Sequence, residues 1–183
     1  VVVTTPGGLS SEVTSNRTIE LVDQNDPSNL KSYQIRTELN GRTLINERFD
    51  VATLTRTTDT RDVTITTQFD GHGRVLQIKP PAKRLPIQFS YDPGGRLSQI
   101  SQGSRIWNAL GYDTYGFLAS ITDALGSTTN FTHDLAGRTV SIEQAVADIQ
   151  STYKAGDLTA LLTPTGNSHG FGYDSGGRNA LYG

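Results

Sequence analysis

The sequence contains no cysteine and no methionine among its 183 residues. Without cysteine, the fold has no disulfide support, and cysteine-based catalysis and thiolate metal sites are excluded. No apolar run is long enough to cross a bilayer, and no signal-peptide pattern opens the chain, so we predict no membrane span. Because a start methionine is also missing, we interpret the sequence as a fragment of a larger chain.

Charge of either sign is also scarce. The formal net charge is −2, which provides no field that would attract nucleic acid or an anionic membrane. We therefore predict no nucleic-acid partner. The length allows one domain with a core of its own, and the many threonine, serine, asparagine and glycine residues are typical of exposed strands and turns.

One stretch shows the pattern on which the rest of the chain is built. Apolar residues alternate at Leu85, Ile87, Phe89 and Tyr91, the period of a half-buried strand. The next four residues, Asp92-Pro93-Gly94-Gly95, fit a type I turn followed by a left-handed glycine. Such a turn closes a short hairpin with a bulge.

This strand-turn-strand pattern recurs at a spacing of about 21 residues, with one slot skipped, which is the signature of a repeat array. The skipped slot is filled by Tyr153-Lys154-Ala155-Gly156-Asp157-Leu158, which is one residue shorter. Phe49-Asp50 lies one period before the first complete copy. The copies are Phe69-Asp70-Gly71-His72-Gly73-Arg74, Tyr91-Asp92-Pro93-Gly94-Gly95-Arg96, Tyr112-Asp113-Thr114-Tyr115-Gly116-Phe117, His133-Asp134-Leu135-Ala136-Gly137-Arg138 and Tyr173-Asp174-Ser175-Gly176-Gly177-Arg178.

A second turn joins each outgoing strand to the next incoming strand. It is visible as Lys79-Pro80-Pro81-Ala82, Ser101-Gln102-Gly103-Ser104, Asp123-Ala124-Leu125-Gly126 and Pro164-Thr165-Gly166-Asn167. Two strands and two turns per period predict an all-β fold, an antiparallel meander that must twist and curl into an arc. We predict a single domain, residues 1–183. It has an irregular start, 1–50, with an Asn40-Gly41 hairpin, and about seven repeats of some 20 residues in 51–183.

Two local features are ambiguous in sequence. The apolar pairs Val75/Ile78, Leu97/Ile100 and Leu118/Ile121 are three residues apart in the outgoing strands, whereas Val140/Ile142 are two apart. Either a bulge or burial on both faces explains the wider spacing. Residues 142–153 have apolar residues at helical spacing, but the repeat register places a strand-turn-strand there, and we predict the strands.

No group of residues has a spacing that indicates chemistry. His72, His133 and His169 fit no metal pattern, and no catalytic triad, carboxylate pair or phosphate loop is recognisable, so we predict no enzyme activity, cofactor or metal. The residues of interest are those of the structural repeat motif: Phe69, Asp70, Gly73, Arg74, Tyr91, Asp92, Gly95, Arg96, Tyr112, Asp113, Gly116, His133, Asp134, Gly137, Arg138, Tyr173, Asp174, Gly177 and Arg178.

Each motif position has an expected structural role. The aspartate caps its own turn, the glycine supplies a positive φ, and the aromatic residue packs on the neighbouring repeat. The arginine either pairs with a turn aspartate or lies over a ring. The alternatives are a ligand or metal at the aspartate, a sugar on the aromatic row, and a phosphate or heparin-like ligand on the arginine row.

The tandem Tyr-Asp-x-x-Gly-Arg motif resembles the RHS/YD-repeat family, which includes bacterial Rhs proteins, the shell of Tc-type toxins and the C-terminal part of teneurins. The resemblance covers residues 33–183. Phe69 and His133 replace the tyrosine, and Phe117 replaces the arginine. The family's self-cleavage motif is not found, so no protease residue is assigned.

The resemblance implies a non-catalytic, structural module: a β-sheet ribbon of the kind wound into a hollow shell around a toxic C-terminal polypeptide. This chain has too few repeats to close, so it would be an arc of such a shell, secreted or on a bacterial cell surface. Its partners would be the rest of the parent chain and an enclosed toxin domain. A cell-surface adhesion or carbohydrate-binding module with a glycan partner is the alternative. Exposed sheet edges also predict edge-to-edge self-association.

Overall fold

The computed structural model describes residues 1–81, 84–145 and 147–183. Within these residues the protein consists of seventeen β-strands and the turns that join them, and it contains no α-helix. All strand pairs are antiparallel, which confirms the predicted all-β meander. The chain divides into two compact units, unit 1 at residues 1–90 and unit 2 at residues 91–183. The described residues include no helix long and apolar enough to cross a membrane.

In unit 1 each strand pairs with the next in chain order. The sequence predicted an irregular start at residues 1–50, but this part of the chain contains four strands. The Asn40-Gly41 turn has the predicted two-residue form, with φ values of 50° and 74°. The strands are β1 (Val2–Thr4), β2 (Ser10–Leu21), β3 (Leu30–Leu39), β4 (Arg42–Asp50), β5 (Thr55–Thr60), β6 (Thr64–Phe69), β7 (Val75–Lys79) and β8 (Ile87–Tyr91).

Unit 2 continues the same pattern of sequential antiparallel pairing. The longer turns at residues 113–117, 134–138 and 174–178 contain the complete motif, whereas turns of the same length at residues 123–127 and 163–167 do not. Two-residue turns connect Gln102 to Arg105 and Lys154 to Asp157. The strands are β9 (Leu97–Gln102), β10 (Arg105–Tyr112), β11 (Leu118–Asp123), β12 (Thr128–His133), β13 (Thr139–Gln144), β14 (Ala147–Lys154), β15 (Asp157–Leu162), β16 (Ser168–Tyr173) and β17 (Asn179–Tyr182). Part of one predicted second turn, Ala82, lies outside the described residues.

Residues 142–144 and 147–153 lie in strands, as the repeat register predicted, and Val146 lies outside the described residues. Ile142 pairs with Ile149, and Gln144 pairs with Ala147. The two isoleucines therefore lie side by side on one face of the sheet. Their helix-like spacing in sequence arises because two strands meet at a short turn, not because the chain coils.

A bulge in the outgoing strand explains the apolar pairs that are three residues apart. Tyr112 pairs with Leu118, but the register then shifts, so that Leu110 pairs with Ile121. One extra residue, Ala119, is accommodated between them, and Leu118 and Ile121 point to the same face. Equivalent shifts follow Phe69, His133, Tyr153 and Tyr173.

The bulge also revises one of the predicted apolar pairs. His133 pairs with Thr139, and Phe131 pairs with Ile142. The intervening Val140 is the bulge residue, so the pair that shares a face with the aromatic residues is Thr139 and Ile142 rather than Val140 and Ile142.

The two faces of the sheet differ in polarity. The face that carries the motif aromatics, which we call the motif face, includes Leu110, Leu118 and Ile121 in unit 2, whereas Ser120 and Asn130 lie on the opposite face. Among the described residues no hydrophobic side chain is fully buried; the most buried residues are Thr67 and Ser101, at 6% and 7% exposure. The apolar residues of the motif face are therefore half-buried by one another.

The repeat motif as candidate functional site

The motif turns have a common backbone conformation. In each complete copy the aspartate N–H donates to the carbonyl of the residue four positions on, and the glycine N–H donates to the aspartate carbonyl, for example at Asp92 and Gly95, over 2.8 and 2.9 Å. Gly95 has a φ of 81°, the left-handed conformation that glycine adopts without steric cost. This is a type I turn closed by a bulged glycine.

The side chain of the motif aspartate stabilises the turn by accepting hydrogen bonds from backbone N–H groups of the same turn. Oδ1 of Asp134 accepts the backbone N–H groups of Ala136 and Arg138, over 2.9 and 3.0 Å. The same carboxylate oxygen accepts backbone N–H groups in the other copies, at Asp70, Asp92, Asp113 and Asp174.

The second oxygen of the same carboxylate binds the motif arginine. Arg96 donates Nε–H to Oδ2 of Asp92 over 2.7 Å, and its Nη2 lies at the same distance from that oxygen. The Arg96 side chain, followed by the Arg96 backbone N–H, holds the pKa of the Asp92 carboxyl below its usual value. The aspartate is therefore an ionised structural acceptor. The other ion pairs of this kind are Arg74–Asp70, Arg138–Asp134 and Arg178–Asp174.

The arginine side chain also contacts the next hairpin. The guanidinium carbon of Arg96 lies 4.4 Å from the ring centroid of Tyr112, and that of Arg138 lies 4.5 Å from the ring centroid of Tyr153. These distances are those of cation–π contacts. The guanidinium thus binds its own turn through its edge and the aromatic residue of the following repeat through its face.

The tyrosine hydroxyl makes a second connection back to the preceding hairpin. Tyr112 donates its O–H to the carbonyl of Leu97 over 2.8 Å, and Tyr173 donates to the carbonyl of Leu158 over 3.0 Å. Tyr153 makes the equivalent bond to Thr139 over 3.3 Å. Leu97 and Thr139 directly follow the motif arginines. Ring face and hydroxyl therefore both contact the preceding repeat.

One repeat uses different side chains in the same place. Phe117 stands at the arginine position, and its ring packs against His133 at the tyrosine position of the next repeat, with centroids 5.3 Å apart. A Cβ added at Gly137 would approach the Phe117 ring to 2.7 Å. Nδ1 of His133 is buried and has no hydrogen-bond partner among the residues that the structure describes. The turn aspartate, Asp113, still accepts two backbone N–H groups.

The skipped slot has a hairpin with a simpler turn. Ala155 and Gly156 form a two-residue turn with φ values of 52° and 104°, and Lys154 pairs with Asp157. Tyr153 nevertheless receives the guanidinium of Arg138 like a complete motif tyrosine.

In unit 1 the aromatic row begins earlier than the complete motifs. Tyr33 stacks on Phe49 with centroids 5.6 Å apart, and Phe49 meets Phe69 edge-on at 6.1 Å. Arg17 lies over Tyr33 at 5.7 Å and Arg56 over Phe69 at 5.4 Å. These two arginines belong to no motif, and sequence reasoning did not find them. Arg56 pairs with Phe49 and Arg17 pairs with Ile35, so their contacts depend on strand pairing, for which the sequence has no motif.

The histidines occupy separate positions. His72 lies in the turn of the first complete motif, where its N–H donates to Asp70, and His169 stacks on Tyr182 at 5.6 Å. In the part of the chain that the structure describes, no three histidine or acidic side chains are grouped so that they could hold a metal ion.

Residues 9–182 match the Teneurin YD-shell family. The chain belongs to this family. The match begins before residue 33, where the motif resemblance starts, and therefore also includes β2. No curated protein matched the sequence.

Several solved structures share the fold of this YD-shell chain. A TcdB2-TccC3-Cdc42 crystal structure matches all of the chain with a TM-score of 0.62 and 12% identity, and a TcdB2-TccC3-TEV crystal structure matches all of it with a TM-score of 0.61 and 14% identity. A Photorhabdus luminescens Tc holotoxin pore matches 98% with a TM-score of 0.57 and 14% identity. The chain spans only 13%, 12% and 12% of these respective chains.

Proposed function

We propose that this chain is a non-catalytic wall segment of the encapsulating shell of a secreted bacterial RHS-type toxin-delivery protein. The observation that carries the proposal is the coupling of successive hairpins. Arg96 and Arg138 are each bound to the aspartate of their own turn and pack on the tyrosine ring of the next hairpin, and that tyrosine donates its hydroxyl back to the preceding hairpin. Contacts of this kind join one repeat to its neighbour and continue along an array of any length.

The same contacts argue for a scaffold rather than an enzyme. Four motif carboxylates accept backbone N–H groups on one oxygen and an arginine on the other, so they are engaged in the turn rather than poised for proton transfer; these are Asp70, Asp92, Asp134 and Asp174. The lowered pKa of Asp134, caused first by the Arg138 side chain, keeps it ionised. Both ionic partners of the motif are thus engaged in holding the turn.

The partners in this proposal are the rest of a parent chain and a toxin domain at its C-terminus, held inside the shell. Support comes from the share of the solved structures that the chain covers, 13% or less in the matches described above, which indicates that such folds form part of much longer chains. Two of these structures contain TcdB2 together with TccC3, and one is a Tc holotoxin pore. A secreted or cell-surface location is part of the proposal, and the similarity to the Tc holotoxin pore supports it.

Electron microscopy of the full-length parent protein tests the proposal. A hollow particle with additional density inside is expected. Limited proteolysis should leave the C-terminal domain intact in the native particle and digest it after the particle has been opened by heat. A solid or extended particle, or a C-terminal domain that is digested at once in the native state, would contradict encapsulation.

The alternative, a carbohydrate-binding adhesion module, receives less support from the ring geometry. A sugar platform needs an aromatic face open to solvent, whereas the guanidinium of Arg96 lies over Tyr112 and that of Arg138 over Tyr153. A glycan array with the natural chain and a Tyr112→Ala variant separates the two functions. Glycan binding that disappears in a folded Tyr112→Ala variant would favour adhesion, and the scaffold proposal predicts no binding by either.

A further inference from the structure

Arg56 differs from the motif arginines in its surroundings. Each motif arginine is ion-paired with the aspartate of its own turn. The half-buried Arg56 lies over the Phe69 ring at 5.4 Å, but its guanidinium has no ion pair or hydrogen bond within the described residues. A guanidinium carries five N–H donors in a planar fork that matches a carboxylate, so its donors are available for an acidic ligand.

The Arg56 side chain lines a groove in unit 1. The groove has a volume of about 310 Å³, and its walls include Tyr33, Phe49, Phe69 and Leu54. The turn that begins at Asp70 lies at its border. The surface beside the guanidinium is therefore apolar and aromatic, which strengthens a charged hydrogen bond by excluding water.

Leu54 adopts a conformation that is unusual for its residue type. Its φ is 50°, in the left-handed region that a leucine adopts only when the surrounding structure holds it there. Its carbonyl accepts the N–H of Phe69 over 2.9 Å, which fixes the turn against the first complete motif. This contact holds Leu54 as part of the groove wall.

The charges around the aromatic row are predominantly positive. Arg17, over Tyr33 at the other end of the row, also has no ion pair within the described residues. Glu47 accepts the Tyr33 hydroxyl over 2.9 Å, and burial together with this bond raises the pKa of Tyr33. Asp70 is already bound by Arg74. Within the described residues, neither Arg17 nor Arg56 forms an ion pair with Glu47 or Asp70.

We propose that this groove binds a polypeptide segment that presents a carboxylate side chain to Arg56 next to an apolar side chain that packs on Phe49 and Leu54. A polypeptide fits better than a sugar because the ring faces are occupied: Tyr33 stacks on Phe49, and Phe69 carries Arg56. The volume is at the lower end of ligand pockets, which suits one or two side chains of an extended chain. The site does not depend on whether the parent forms a closed shell.

The test measures binding of a fluorescein-labelled peptide of alternating glutamate and phenylalanine, eight residues long, to the whole chain by fluorescence anisotropy. The comparison peptides replace glutamate by lysine, or phenylalanine by serine. We expect only the first to bind well. Arg56→Gln should weaken its binding about tenfold or more, because a bidentate charged hydrogen bond is lost. Arg105→Gln, at an exposed position in unit 2, should leave binding unchanged.

A second variant tests the site without removing the arginine. Leu54→Asp places a carboxylate in the groove at a position whose left-handed backbone aspartate tolerates better than leucine. We expect this variant to retain its melting temperature and to lose the peptide, because its own carboxylate occupies Arg56. It also keeps the test valid if Arg56→Gln does not fold.

Three results would overturn the proposal. The first is equal binding of the lysine-containing peptide, and the second is unchanged affinity in folded Arg56→Gln or Leu54→Asp. In the third, heparin binds in an Arg56-dependent manner while the glutamate peptide does not, which would assign the groove to an acidic glycan instead.

Discussion

Phe117 and His133 depart from the repeat motif together, and they contact each other, with ring centroids 5.3 Å apart. In the regular repeats the same two positions hold an arginine and a tyrosine, as in Arg96 and Tyr112. The motif therefore describes a contact between two successive hairpins as well as a turn within one. A change at one end of this contact is matched by a change at the other.

Restoring the regular pair should reveal this coupling. Phe117→Arg alone places a cation beside the buried His133, and His133→Tyr alone leaves a phenol beside phenylalanine. The double variant recreates the arginine–tyrosine contact, with Asp113 available as the ion-pair partner. We expect a favourable interaction energy of about 1 kcal/mol in the double-mutant cycle. Urea unfolding measures it, and additive effects would show that the two positions act independently.

Two turn glycines separate backbone strain from steric contact. Gly126 and Gly137 have φ values of 86° and 80°, but a Cβ at Gly126 would meet nothing within 4 Å, whereas one at Gly137 would meet Phe117 at 2.7 Å. Gly126→Ala should lower the free energy of unfolding by about 1 kcal/mol, from strain alone. Gly137→Ala should lower it clearly more. Equal losses would show that Phe117 moves away without cost.

The hydroxyl of Tyr112 should contribute to stability, whereas that of Tyr115 should not. Tyr112 donates to the Leu97 carbonyl over 2.8 Å, while the Tyr115 residue is 72% exposed. Tyr112→Phe should therefore lower the free energy of unfolding by about 1 kcal/mol, and the matched Tyr115→Phe change should have almost no effect. Denaturant titrations of both variants provide the measurement. Equal effects would mean that the bond between hairpins adds no stability.

Acid should weaken the motif turns. The Arg138 side chain and backbone lower the pKa of Asp134 in the folded state, while an unfolded aspartate has a pKa of about 3.9. The stabilisation is therefore fully present above the unfolded pKa and is lost as the pH falls through the lower, folded pKa. Melting temperatures should decline below about pH 4.

Variants at single aspartates identify the source of this acid sensitivity. Asp134→Asn should melt lower than the natural chain at pH 7 and should show a flatter pH dependence below pH 5. Asp62→Asn, which changes an exposed carboxylate in a turn, is the control and should preserve the natural profile. A profile unchanged by Asp134→Asn would mean that other groups govern the acid transition.

The turns and the strand order were predictable from sequence because their causes are local. Asp92, Pro93 and Gly95 each favour one position of a type I turn, and repetition of that chemistry fixes the strand boundaries around it. The strands β13 and β14 were harder to predict, because the short connection between them brings Ile142 and Ile149 into a helix-like spacing. At these residues the register of the repeats predicted the strands correctly, whereas the local apolar periodicity indicated a helix.

Contacts between repeats were predictable only in outline. The sequence allowed the motif arginine either an aspartate or a ring, but Arg96 binds both, because its edge and its face serve different partners. The groove at Arg56 had no sequence signal, since Leu54 takes a left-handed conformation that leucine does not indicate. Such features depend on which residues face each other across paired strands. A short sequence motif does not specify these pairs.

The bulge after a motif turn determines on which face of the sheet the later side chains of that strand lie. Because side chains alternate between faces, the extra residue at Ala119 returns Ile121 to the face of Leu118. Deleting that one residue would move the remaining side chains of the strand to the opposite face of the sheet. The hairpins that follow, which pair with this strand in sequence, would have their two faces exchanged as well. Only a second insertion or deletion of one residue downstream would return the side chains to their original faces, as a compensating frameshift restores a reading frame.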